Sequence, residues 1–113
     1  MRVVEKQISI KELKAMCSKM FGNLAKAVVD VEKEILVVDA ELHSDEEAYL
    51  LNLGSKQEHL WGINIYPDHG VGERIEFDSM INLRPLFGNN SRGVEDEETR
   101  KKILKITNSK IVS

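Results

Sequence analysis

Glu41, His43, Asp45, Glu46 and Glu47 lie within seven residues, in the stretch ELHSDEE. An imidazole among carboxylates can hold a divalent metal or move protons as a general acid or base. The spacing matches no metal motif of the HExxH kind, so no metal ligand set is assigned. Ser44 stands just before three acids, and the first turn of a helix favours negative charge. The stretch therefore reads first as a helix start, with Ser44 as the cap and Glu47 completing a capping box.

A second candidate is RIEFDSMINLRP, residues 74–85. Ile75, Phe77, Ile81 and Leu83 fall on one phase of a two-residue repeat. Arg74, Glu76, Asp78, Asn82 and Arg84 fall on the other, so a strand here has an apolar face and a polar one. Three readings of the polar face stay open: a solvated face, as antiparallel sheets allow; a dimer interface, which suits Tyr66, Asn64 and the arginines; and a ligand cleft built on Asp78, Asn82 and Arg84. A third candidate is the loop GNNSRG before a helix, whose glycines, amides and Arg92 could cradle a phosphate. Glu95, Asp96, Glu97 and Glu98 crowd that terminus and would repel an anion. A loop held by Asn and Ser hydrogen bonds is the better reading, with Arg92 free to reach a carboxylate elsewhere.

Other chemistries find no support. Cys17 lies on a buried helix stripe without a basic neighbour in sequence, which suits an inert core thiol. There is no Ser-His-Asp signature, no nucleotide-binding glycine motif and no pattern implying a cofactor.

These residues must be carried by a small scaffold. Ser9 and Glu12 form a capping box ahead of Ile10, Leu13, Met16, Cys17 and Met20, which predicts a helix ending at Gly22. Ile8 and Leu13 can close a hydrophobic staple over its start. LAKAVVDVEKEILVVDAEL predicts a β-hairpin with Val29 opposite Leu36, Ala27 opposite Val38 and Lys26 meeting Asp39. A short helix of about two turns follows from Ser44, ended by Gly54. LWGINIYP alternates with Trp61, Ile63 and Ile65 on the apolar phase. Pairing it with 74–85 at a register sum of 140 sets Ile65 against Ile75, Ile63 against Phe77, Asn64 against Glu76, Tyr66 against Arg74 and Gly62 against Asp78. Ser79 and Met80 break the alternation, so a bend is expected near Asp78. Asp96 caps a last helix over 97–110 with Ile103, Ile106 and Ile111 inward. The order β-α-β-β-α-β-β-α predicts one α+β domain over 1–113, a mainly antiparallel sheet of hairpins with about three helices on one face.

ELHSDEEAYLL, GSKQEHLWGINIYP, IEFDSMINLRP and GNNSRGVED together resemble a family of small uncharacterised bacterial and archaeal proteins, classed as a domain of unknown function. The resemblance covers nearly the whole chain and implies a single-domain prokaryotic protein. It implies no activity, cofactor or catalytic residue. One departure is Glu97, where the family pattern would set proline at the first helical position.

The chain has 113 residues, enough to bury a core without a staple. Net charge is −3 and no basic block occurs, so nucleic acid is disfavoured as a partner. One cysteine, no signal-peptide pattern and no apolar run of about 18 residues predict a cytoplasmic protein that does not span a membrane. The leading expectation is a protein that acts by binding, as a homodimer joined through the two-faced hairpin. The alternative is a small-ligand-binding protein or enzyme drawing on His43, Asp78, Asn82, Arg84 and Arg92.

Overall fold

The computed structural model describes residues 1–113. Ser9 and Glu12 close the expected capping box: Ser9 Oγ accepts from the Glu12 amide at 3.0 Å, and Glu12 Oε2 accepts from the Ser9 amide at 2.8 Å. Helix α1 (Ile10–Lys19) starts there, after strands β1 (Arg2–Val4) and β2 (Ile8–Ser9). Ile8 and Leu13, the staple pair, are both fully buried. Gly22, at φ 87°, donates its amide to Cys17 O at 2.6 Å and turns the chain out of the helix.

Strands β3 (Ala25–Asp30) and β4 (Ile35–Val38) form the first hairpin, with Val29 opposite Leu36 as the apolar pattern requires. Its tip is a loop over 31–34. Asp30 Oδ1 accepts from the amides of Glu32 and Lys33, each at 2.9 Å, and Ser55 Oγ donates to Asp30 Oδ2 at 2.6 Å. Helix α2 (His43–Asn52), β5 (Leu60–Ile65), β6 (Ile75–Glu76), α3 (Glu97–Lys110) and β7 (Ile111–Val112) complete the chain. The sheet order is β1-β4-β3-β5-β6, antiparallel throughout. β2 and β7 make a separate two-residue parallel pair. Asp96 caps α3 by accepting from the Thr99 amide at 3.0 Å, and Ile103, Ile106 and Ile111 are buried as expected. The α+β domain and its antiparallel hairpins are therefore as the sequence implies.

The helices do not share one face. Leu13 and Cys17 of α1 and Ile103 and Ile106 of α3 pack with Val29, Leu36 and Ile63. Leu50 of α2 packs on the other side, with Val28, Val37 and Leu60. The reason lies in β3 and β4, where Val28, Val29, Leu36 and Val37 run apolar on both phases and must be covered twice. α2 gives this second face only one fully buried apolar side chain, Leu50; His43 and Glu46 are its other buried residues.

The strand expected over 74–85 is also corrected. Ile65 pairs with Ile75 and Asn64 with Glu76, in the predicted register, but the ladder stops there. The Tyr66 amide still donates to Arg74 O at 2.7 Å. Past Asp78 the chain folds over the sheet in two 3-10 turns, Met80–Asn82 and Pro85–Phe87. Gly62 does not meet Asp78. Its amide donates to Asn82 Oδ1 at 2.8 Å, and its carbonyl accepts from Asn82 Nδ2 at 2.9 Å. One side-chain amide thus replaces a whole strand residue. A Cβ at Gly62 would sit 2.6 Å from Ser79 Cβ, so only glycine admits this approach.

Asn82→Leu, close in volume, leaves the Gly62 amide and carbonyl without partners and should cost roughly 3 kcal/mol or more by urea unfolding. Gly62→Ala should cost about 1–3 kcal/mol through overpacking against Ser79. An Asn82→Leu protein within about 0.5 kcal/mol of the parent would show that the clamp does not hold the fold.

Candidate functional site

α2 packs over β3 and β4 and leaves the β3–β5–β6 end of its face open. That open end is a cavity of about 570 Å³, within the usual size for small-molecule sites. Its floor is a row of three side chains on neighbouring strands: Lys26 on β3 opposite Asn64 on β5, and Asn64 opposite Glu76 on β6. Its walls are the start of α2 (Leu42, His43, Ser44), Phe21 and Leu24 ahead of β3, and residues 78–81 with Arg92.

The polar groups of the site are tied to one another. Glu76 Oε1 accepts from Asn64 Nδ2 at 2.9 Å and from the Tyr66 hydroxyl at 3.0 Å. Burial and that carboxylate push the Tyr66 phenol up, so it stays a donor. The Tyr66 ring stacks on His69 with centroids 5.0 Å apart. Arg92 Nε donates to Asp78 Oδ1 at 2.7 Å. The clamp sets this pair in place: Asn82 Nδ2 and the Ser79 amide both donate to the Arg92 carbonyl, at 2.9 and 3.0 Å. Lys26 Nζ lies 4.9 Å from the centre of the Phe21 ring, a cation–π distance.

Two buried polar groups of the lining keep an unused acceptor. Asn64 is 7 % exposed, and its Oδ1 has no partner. His43 is 8 % exposed and lies 2.7 Å from Ile63 O through Nε2. A carbonyl only accepts, so Nε2 carries the proton and Nδ1 keeps a lone pair. Burial lowers the pKa of His43, which leaves the ring neutral at pH 7.

The start of α2 departs from the sequence reading. The helix begins at His43, two residues early for a Ser44 cap, and its N-cap is Leu42, with no side-chain cap. Ser44 therefore sits inside the first turn. Nor is Glu46 a solvated first-turn acid. It is fully buried, both carboxyl oxygens lack partners, and burial pushes it up to about 10. It is uncharged at pH 7.

Of the residues singled out from sequence, His43, Asn64, Tyr66, Asp78 and Arg92 come together around the cavity. Asn82 and Arg84 do not. Asn82 is wholly buried in the Gly62 clamp. The Arg84 guanidinium lies 4.3 Å from the centre of the Trp61 ring and donates to Leu60 O at 2.6 Å and to Gln57 O, so it fastens the loop to β5. Arg74 leaves the polar row and donates to Asn108 of α3 at 3.0 Å. Arg92 does find a carboxylate, Asp78. The GNNSRG loop is held by Asn89, whose Nδ2 donates to Asn82 O and Gly93 O at 2.7 and 2.8 Å. Lys26 and Ser44 were not expected in a site. Lys26 shares its strand face with Asn64, a signal visible only once β3 is known to lie beside β5. No group of three or more His, Cys, Asp or Glu side chains is arranged to hold a metal ion. Burial pushes the Cys17 thiol up, in keeping with an inert core residue.

A family model described as a protein of unknown function, DUF5674, matches residues 2–110. The chain belongs to that family. Among curated proteins and solved structures, nothing matches it.

Glu46 makes a pH prediction with a definite sign. Its carboxyl is protonated in the fold up to about pH 10 but ionises near 4.5 when unfolded. Its contribution is therefore whole below pH 4.5 and is lost progressively as pH rises toward 10. Glu46→Gln keeps the shape without the proton. The stability gap in favour of Glu46→Gln should widen by about 1.4 kcal/mol per pH unit, measured by urea unfolding between pH 7 and 8.5. A gap that stays constant over that range would mean Glu46 is ionised in the fold.

Proposed function

For this member of the family, we propose that the chain binds a small polar molecule in the cavity between the start of α2 and the 78–92 loop. The observation that carries this reading is the unpartnered Asn64 Oδ1, on a 93 % buried side chain of the cavity floor. A buried acceptor without a donor costs about 1–3 kcal/mol, and a small shift of the side chain toward a ligand N–H or O–H recovers it. The lining supports it too, with apolar walls from Phe21, Leu24, Met80 and Ile81 around a few convergent polar groups. Cys17, buried and unpaired, suits a reducing cytoplasmic setting. No helix is long and apolar enough to cross a membrane.

Thermal unfolding against a panel of amino acids, hydroxy acids, nucleotides, sugar phosphates and divalent metals tests the reading. A ligand at about 100 times its Kd adds about 2.7 kcal/mol, which raises Tm by roughly 10 °C in a domain of this size. Ser44→Phe, which adds a bulky ring to the cavity wall, should abolish that rise. A rise that survives Ser44→Phe would place the ligand elsewhere, and no rise with any compound would count against the pocket.

A second reading, homodimer formation, is favoured by one observation. Met80, Leu83, Leu86 and Phe87 all expose large apolar side chains on the loop over the sheet, Leu86 at 98 %. The contact would then run through this loop, with the short β6 ladder playing little part. Sedimentation analysis should show a dimer that Leu86→Asp dissociates; a monomer at every concentration would end this reading.

A further inference from the structure

We infer that the cavity is a site for dipolar ligands, small molecules carrying an acid at one end and an amine at the other. The inference rests on the pocket reading above and names the chemistry that pocket selects.

The floor is graded in charge. Lys26, Asn64 and Glu76 stand on three adjacent strands, cation, amide and carboxylate in that order. Neighbouring strands lie about 4.8 Å apart, so the row separates its two charges by roughly two such steps at the backbone. The other charged pair of the lining, Asp78 and Arg92, is closed on itself at 2.7 Å. Lys26 makes no ion pair and rests on the Phe21 ring. Glu76 uses only Oε1 for Asn64 and Tyr66, which leaves Oε2 for a ligand.

The start of α2 adds a wall that favours an anion. With Leu42 as cap and no side-chain oxygen over it, the amides of His43 and Ser44 have no acceptor, and both residues line the cavity. Free amides at a helix start, with its positive dipole end, favour an anion, and the acids of this turn, Asp45, Glu46 and Glu47, lie outside the cavity lining. An independent feature points to a ligand rather than to water-filled helix geometry alone. Asn64, in the middle of the row, is 93 % buried with an unsatisfied oxygen. That oxygen calls for a donor and the lone pair of His43 Nδ1 can take one, which a carboxylate alone does not bring. A molecule with its carboxylate toward Lys26 and the α2 amides, and its ammonium toward Asn64 Oδ1 and Glu76 Oε2, satisfies both ends.

The test is a 15N NMR titration of the full chain with glycine, 4-aminobutyrate and 6-aminohexanoate. Acetate, inorganic phosphate and butylamine serve as single-charge probes, and glycerol as an uncharged one. The expected result is that a dipolar probe moves the amides of His43, Ser44 and Asn64 and binds at least tenfold more tightly than any single-charge probe. Lys26→Met and Glu76→Gln should each weaken it by about tenfold or more, the worth of one charge-assisted hydrogen bond. Unchanged amide dispersion elsewhere will show that both variants are folded. If phosphate or acetate moves the same amides as strongly, and Glu76→Gln has no effect, the site takes a simple anion and the dipolar inference falls while the pocket reading stands. If glycerol or butylamine binds best, the same holds. If no probe moves any cavity amide, both are overturned.

Discussion

The pairing of the Asn82 side-chain amide with the Gly62 backbone is the constraint on which the rest of this structure hangs. β6 is only two residues long, so β5 would otherwise present an unpaired backbone at its middle. Buried amide and carbonyl groups must be satisfied, and Asn82 satisfies both at once. Its remaining proton goes to the Arg92 carbonyl, and Asn89 in turn donates to the Asn82 carbonyl. The loop from 78 to 93 is therefore anchored to the sheet by one residue with a full set of partners. Gly62 permits the close approach, since Ser79 occupies the space that any other side chain would need. Arg84 adds a second anchor through the carbonyls of Gln57 and Leu60.

That anchoring decides where the cavity is. The sheet has two apolar faces, but one is covered by two helices and the other by one short helix held mainly through Leu50. The uncovered part of the second face carries Lys26, Asn64 and Glu76 in place of valines and leucines. The folded-over loop then walls this polar patch instead of leaving it to solvent, and it brings Asp78 and Arg92 with it.

Burial sets the charge state of the groups beneath α2. His43 and Glu46 are three residues apart, on one face of the helix, and both are held neutral at pH 7 by desolvation. α2 thus lies on the sheet without placing an unpaired charge in the interior. The carboxyl of Glu46 has no hydrogen-bond partner, a cost the fold carries under α2.

Local physical chemistry was legible in the amino-acid order. The capping box at Ser9, the Asp96 cap, the Val29–Leu36 pair and the Ile65–Ile75 register follow from side-chain type and spacing over a few residues, and they stand. Five of the seven candidate residues gather in one place: alternation had sorted Asn64, Tyr66 and Asp78 onto one strand face, His43 stands at a helix start, and Arg92 joins them from its loop by pairing with Asp78. What failed required knowledge of distant neighbours. Asn82 and Arg84 alternate like strand residues, yet they are held by backbone groups 20 and 24 residues away in sequence, which pull the chain off the ladder. Ser44 has the chemistry of a cap, yet the helix has already started at His43, whose imidazole bonds to Ile63. Glu46 reads as a solvated acid until β3 and β4 prove apolar on both faces and draw α2 down over it. Hydrogen-bond satisfaction and burial are properties of the assembled molecule, so only the tertiary structure could decide them.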